Sequence, residues 1–310
     1  MLHELLSDTS ILQEKNFVLV DIGASGAPPV LWQKIAPFSN YVGFDPDARA
    51  LNEENAYSFQ TFTLIKKIVT EGFSDQVDFF LTSYPYCSST LKPDFEYCQH
   101  YTFTETFEVI DQTQFPATRL DTVVKDLGIH GIDWLKLDSQ GKDLDLFLSI
   151  DQSIRDRMLA IDIEPGVVPF YQGENTFDET HSALLKQGFW LSDIQLQNGG
   201  FPRIKQSTRQ KLANRQLQPQ NQAINFEALP VSPTALEARY LRTIEHLNSV
   251  GADLRDYFSL WVFALLDNQL GFALDVALHV IESYPSDSLG NLLLDKTLEQ
   301  VAVYQNSSGA

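Results

Sequence analysis

The chain has 310 residues, 44% of them hydrophobic and 21 of them phenylalanine, which suffices for one large domain or a domain with a smaller companion and argues against long disorder. Its formal net charge of −19 argues against nucleic acid or an anionic membrane as the main partner, because both would repel it at long range. Its two cysteines, Cys87 and Cys98, lack a metal-ligand spacing and are too few for a disulfide scaffold, which fits a reducing compartment.

Residues 1–13 carry acids among their apolar positions and form a short amphipathic helix rather than a basic start followed by an apolar run, so no secretory leader is expected. Residues 17–22, Phe-Val-Leu-Val-Asp-Ile, are a continuous apolar and β-branched run that stops at a glycine, as a strand buried on both faces should. A helix-length segment over residues 29–38 leads to a second strand over 41–44 that ends at Asp45-Pro46. Residues 63–69 are a third strand. Residues 77–81 and 107–110 are strands of an inserted hairpin. Residues 120–127 are helical, 133–137 a strand ending at Asp138, 144–150 a helix, 158–163 a strand ending at Glu164, 176–187 a helix stopped by Gly188, and 189–194 a strand. Strands alternating with helices give an α/β domain with a mostly parallel sheet, whose ligands sit beyond the carboxyl ends of the strands.

Residues 203–215 hold five basic residues and no acid, a solvated face or an attractor for an anionic substrate. Residues 224–231 suit a last strand. At Ser232-Pro233 the pattern becomes helical, with three or four helices broken at Gly251, near Gly271 and at Pro285. The division expected is a domain over 1–231 and a helical extension over 232–310, through which a second copy or a protein partner could bind. The most apolar stretch, 257–266, is shorter than the about 20 residues that span a bilayer. A soluble, cytoplasmic protein is expected.

The strand ends carry Asp21, Asp45, Asp138 and Glu164. In Asp21-Ile22-Gly23-Ala24-Ser25-Gly26 the glycines allow a sharp turn and close approach to a ligand. The loop has one glycine fewer than the dinucleotide fingerprint, and its acid can pair with the ammonium of a bound amino acid, which S-adenosylmethionine has and NAD lacks. A plain tight turn is the competing reading. Asp45, followed by Pro46, can accept from two ribose hydroxyls or simply cap a turn. Together the two sites point to an adenosine-containing cofactor. Asp138 can remove an acceptor's proton or cap the next helix, and Glu164 carries the same ambiguity one strand along. Either role is open for His100 and His130, whereas His181 suits a packed helix position. A metal between Asp138 and Glu164 has no dedicated ligand motif and none is expected.

The ordered motifs Val20-Asp21-Ile22-Gly23-Ala24-Ser25-Gly26, Val42-Gly43-Phe44-Asp45-Pro46-Asp47, Cys87-Ser88-Ser89-Thr90-Leu91, Thr118-Arg119-Leu120-Asp121, residues 132–141, Tyr171-Gln172-Gly173 and Gly188-Phe189 together resemble the FkbM-type methyltransferases, over residues 17–230. The resemblance implies a Rossmann-like fold that uses S-adenosylmethionine for O-methylation, most often of a sugar, glycan or natural-product hydroxyl, with cofactor contacts at Asp21, Gly23, Gly26 and Asp45. Departures are Ser25-Gly26-Ala27 where the family has an asparagine and a later glycine, Asp45 for glutamate, and Gln140 and Lys142 where acids are common. These departures motivate a competing reading: a catalytically degenerate scaffold that binds proteins through its helical C-terminus.

Overall fold

The computed structural model describes residues 2–8, 10–12, 15–46, 58–129, 131–197 and 200–308. Helix α1 (Leu2–Asp8) precedes β1 (Phe17–Ile22), every residue of which is buried, Asp21 among its five apolar residues. Residues 29–38 do not form one helix. They split into α2 (Val30–Gln33) and a 3₁₀ turn, Ala36–Phe38, where Pro37 has no N–H to continue the helical hydrogen bonds. Then come β2 (Ser39–Phe44) and β3 (Thr61–Ile65). The strand expected over 63–69 breaks after Ile65, where the Lys67 N–H turns back onto the Ile65 carbonyl; Ile68–Val69 joins a separate small sheet. That sheet contains the expected antiparallel insertion, β4 (Gln76–Thr82) and β5 (Val109–Thr118).

The remaining core elements are α3 (Leu120–Asp126), β6 (Trp134–Leu137), α4 (Asp143–Ser149), β7 (Ala160–Ile163), α5 (Phe177–Lys186) and β8 (Phe189–Leu196). Helix α5 starts on a reciprocal cap between Thr176 and Glu179 and stops before Gly188, whose φ of +79° needs glycine. Residues 224–231 are not a strand: Asn225 caps a short 3₁₀ turn, Phe226–Ala228. The last strand is β9 (Leu236–Arg242), inside the stretch expected to be helical. Leu236, Ala238 and Tyr240 alternate along it and are buried. A short helix, Ile244–Ser249, leads into α6 (Leu254–Leu266), α7 (Leu270–Ser283) and α8 (Leu289–Ser308). No helix among the described residues is long and apolar enough to cross a membrane.

The central sheet has seven strands in the order β3-β2-β1-β6-β7-β9-β8. Strands β3 through β7 pair in parallel, and β9 runs antiparallel to both of its neighbours. The chain leaves β1 in one direction to β2 and β3 and returns beside β1 at β6. The β1–β6 junction is therefore the point where strand order reverses and a crevice opens at the carboxyl ends.

Both faces of the sheet are covered. Val18, Val20, Leu135, Leu137, Ile161 and Ile163 pack with Leu120, Val124, Leu144, Phe147 and Leu184 of α3, α4 and α5. On the other face Phe17, Leu19, Trp134, Ala160 and Leu241 pack with Trp32 and with Phe258, Trp261, Val262 and Phe263 of α6. The helices expected as an extension therefore spend their inner faces on the sheet.

One buried ion pair ties α6 to the sheet. Arg255 donates through both terminal nitrogens to the two oxygens of Asp133, Nη2 to Oδ2 at 2.8 Å, while Asp133 Oδ2 also accepts the Val18 N–H at 2.7 Å. Both residues are under one-tenth exposed. Removing one partner leaves a buried charge alone, which costs about 3–5 kcal/mol. Arg255→Met should lower unfolding free energy by about that amount in urea titrations, and adding Asp133→Asn should restore most of the loss.

Candidate active site

The crevice is built on the ends of β1, β2, β6 and β7. After β1 the chain turns at Gly23, with φ +82°, and the Gly23 and Ala24 N–H groups both donate to the Phe44 carbonyl at 3.0 Å. A Cβ on Gly23 would sit 2.2 Å from the Asp138 carbonyl oxygen, so the turn is pressed against the end of β6. Gly26 also has a left-handed φ, +85°, but a Cβ there would meet nothing within 4 Å. The turn therefore has a closed side at Gly23 and an open side at Gly26. Asp45, at the end of β2, is buried and lies beside this turn through the same Phe44 contact.

Asp21 lies beneath the turn and is 3% exposed. Its Oδ2 accepts from the Tyr41 hydroxyl at 2.9 Å, and its Oδ1 has no hydrogen-bond partner. Burial pushes the Asp21 carboxyl up from its ordinary range, opposed by Lys136 and Tyr41. Lys136 stands next to Asp21 because β1 and β6 pair in parallel register at these two residues. Its Nζ is 3.5 Å from Asp21 Oδ1 and 3.4 Å from Asp138 Oδ2.

Asp138 is held on both oxygens: Lys136 faces Oδ2, and the Gln140 amide donates to Oδ1 at 2.7 Å. Gln140 has φ +58°, uncommon for a residue with a side chain. It is pinned there by Ser89, whose hydroxyl donates to its carbonyl at 2.6 Å, and by Tyr171, whose hydroxyl donates to its Oε1 at 3.1 Å. Asp138 does not cap α4, whose N-cap, Lys142, has no side-chain cap hydrogen bond. Asp143, the first residue of α4, accepts from the Ser139 N–H at 2.7 Å and the Glu164 N–H at 3.3 Å and so ties the loop after β6 to the end of β7. Burial pushes Asp143 up to about 6.

Glu164 follows β7 and accepts from the Gln197 side chain at 2.7 Å. Burial, and after it the Asp138 charge, push its carboxyl well above the ordinary range, with Lys136 opposing. Behind it Glu174 accepts three backbone N–H groups, from Gly166, Phe170 and Tyr171, and shapes the loop that carries Tyr171. The Asp138 and Glu164 carboxyls are near enough to feel each other's charge.

Other expectations fall elsewhere. His181 packs in α5 with its Nδ1 3.0 Å from the Tyr240 hydroxyl. His130 lies outside the described residues, as does Asp47 of the β2 motif. In the basic segment Arg209 pairs with Glu105 at 3.1 Å and supports the inserted lobe. Ser88 accepts the Thr82 N–H and Ser89 anchors Gln140, so that polar trio supports the site from the insertion. Sequence reading missed Tyr41, Lys136, Tyr171 and Glu174. The signal for Lys136 was a charged residue at the parity of Trp134 within a buried strand, two positions before Asp138.

Residues 44–191 match the model of the methyltransferase FkbM domain. The fold is accordingly a Rossmann-like methyltransferase fold with C-terminal helices. The match includes Asp45, Lys136, Asp138, Gln140, Glu164 and Tyr171, and begins after the Asp21–Gly26 turn. No curated protein matches the chain.

The closed and open sides of the turn separate two substitutions. Gly23→Ala meets both a left-handed φ and the Asp138 carbonyl, and should cost about 2–4 kcal/mol in urea unfolding. Gly26→Ala meets only the left-handed φ and should cost about 1–2 kcal/mol.

Proposed function

We propose that this chain, whose residues 44–191 are an FkbM methyltransferase domain, uses S-adenosylmethionine to methylate a hydroxyl of a sugar, glycan or related natural product. The observation that carries this reading is the glycine turn after β1, set beside Asp45 on one side and pressed against Asp138 on the other. The residues fit the cofactor. Asp21 Oδ1 is a buried carboxylate oxygen without a hydrogen-bond partner, suited to an ammonium, and the Gly26 side of the turn is open. Gly23, Ala24, Ser25 and Gly26 would hold the amino-acid end, and Asp45 with Pro46 the ribose. When bound, the cofactor supplies an electrophilic methyl group.

Asp138 would orient the acceptor hydroxyl and accept its proton on a carboxylate oxygen. Lys136 and Gln140 keep the carboxylate aimed while this happens. Glu164, whose proton burial and the Asp138 charge retain, donates a hydrogen bond to the acceptor. Two neighbouring carboxyls with unequal hold on their protons divide base and acid roles between them. The chain's charge of −19 suits an acceptor that is not strongly anionic, and free thiols at Cys87 and Cys98 suit a reducing cytoplasm.

Calorimetry with S-adenosylhomocysteine should show one binding site, and a folded protein that fails to bind it would refute the cofactor assignment. Asp138→Asn should keep that binding while cutting methyl transfer from labelled cofactor by about 10²–10⁴-fold. Because the raised Glu164 carboxyl acts in its protonated form, transfer should fall as pH rises through its ionisation. Glu164→Gln should remove that alkaline limb, and a limb that persists would take the acid role away from Glu164.

A further inference from the structure

The cation at the centre of the site belongs to Lys136. Three carboxyls surround its ammonium: Asp21 and Asp138 within 3.5 Å, and Glu164 close enough to act on its charge. Asp21 sits under the cofactor turn and Asp138 on the acceptor side, so the ammonium lies between the two halves of the site. It approaches the one Asp21 oxygen that has no hydrogen bond, while Tyr41 occupies the other. We propose that Lys136 is a positioning residue for the cofactor's amino-acid end, which it serves by keeping the buried Asp21 carboxylate charged and aimed at the turn. This inference rests on the assignment of the turn to S-adenosylmethionine.

Burial alone would drive a proton onto Asp21, and an uncharged Asp21 cannot attract an ammonium. Lys136 is the strongest influence acting the other way, followed by the Tyr41 hydroxyl, while the Asp138 charge works with burial. Besides Asp21 and Asp138, Lys136 faces Glu164, and Asp162 on the adjoining strand is influenced by it in turn. Asp45 acts on Tyr41. Asp162 has its own cation in Arg239, at 2.6 Å, so Lys136 is left to the three carboxyls of the crevice. Without Lys136 the Asp21 carboxyl ionises only at higher pH, so a ligand's ammonium meets a weaker counter-charge that strengthens as pH rises.

The test is calorimetry on the full chain with two probes, S-adenosylhomocysteine and 5′-methylthioadenosine, which share the nucleoside but not the amino-acid end. Lys136→Met should weaken S-adenosylhomocysteine by at least about tenfold at pH 7, the worth of one hydrogen bond to a charged group. The loss should shrink as pH rises, 5′-methylthioadenosine should bind as it does to the wild type, and Lys136→Arg should restore tight binding. Equal weakening of both probes, or no weakening at any pH, would overturn the proposal, since a merely structural lysine gives one or the other. If Lys136→Met fails to fold, Asp21→Asn/Lys136→Met, which leaves no charge at either position, should show the same selective loss without pH dependence, and its absence is equally decisive. Wild-type protein that binds neither probe overturns the cofactor reading itself; wild-type protein that binds 5′-methylthioadenosine no more weakly than S-adenosylhomocysteine overturns only the inference.

Discussion

A sheet covered on both faces has no water to offer a charge inside it, so the buried charges here are paired or hydrogen-bonded by other parts of the chain. Asp133 is met by Arg255, Asp162 by Arg239, and Arg239 also by Asp267 at 2.7 Å. Arg242, 1% exposed, donates to the Met158, Gln187 and Arg155 carbonyls and lies over the Phe189 ring at 3.6 Å. Arg239, Arg242, Arg255 and Asp267 all come from the last quarter of the chain, and most of what they neutralise belongs to strands and turns that precede residue 190. The C-terminal segment is thus part of the electrostatic closure of the sheet that carries the site.

That dependence explains which parts of the molecule could be read from sequence. β1, β6 and β7 were legible because each is a short, mostly apolar run, interrupted by one charged residue, that ends at an acid or at a glycine turn. Of the inserted pair, β4 lies where a strand was expected, whereas the second strand, expected over 107–110, runs from Val109 to Thr118. β9 was not, because its companions are remote: Arg239 pairs with a residue 77 positions away, and the strong helix-start signal at Ser232-Pro233 masked the alternation of Leu236, Ala238 and Tyr240. Local signals place elements, whereas sheet order decides which strand a late segment enters.

The site shows the same division. Asp21, Gly23, Asp45, Asp138 and Glu164 could be nominated because acids and glycines at strand ends are visible residue by residue. What holds them could not. Tyr41 reaches Asp21 from the neighbouring strand, Ser89 and Tyr171 reach Gln140 from the insertion and from the loop after β7, and Glu174 holds that loop through three backbone donors. Gln140, which departs from the family's acid, has a structural reason to be an amide here. It donates to Asp138 and accepts from Tyr171 at once, and a carboxylate at that position could only repel Asp138.

Charge counting within the crevice then accounts for the division of labour between its two candidate catalytic acids. Asp162 is served by Arg239, which leaves one lysine among Asp21, Asp138 and Glu164. One cation cannot stabilise three buried negative charges, so at least one carboxyl must keep its proton. Asp138 is in direct contact with Lys136 and accepts from Gln140; Glu164 has only the Gln197 amide and faces the Asp138 charge. Burial and the Asp138 charge therefore strengthen the hold of Glu164 on its proton, with Lys136 opposing. The arrangement follows from where the cations are, and among the described residues Lys136 is the cation that faces all three carboxyls.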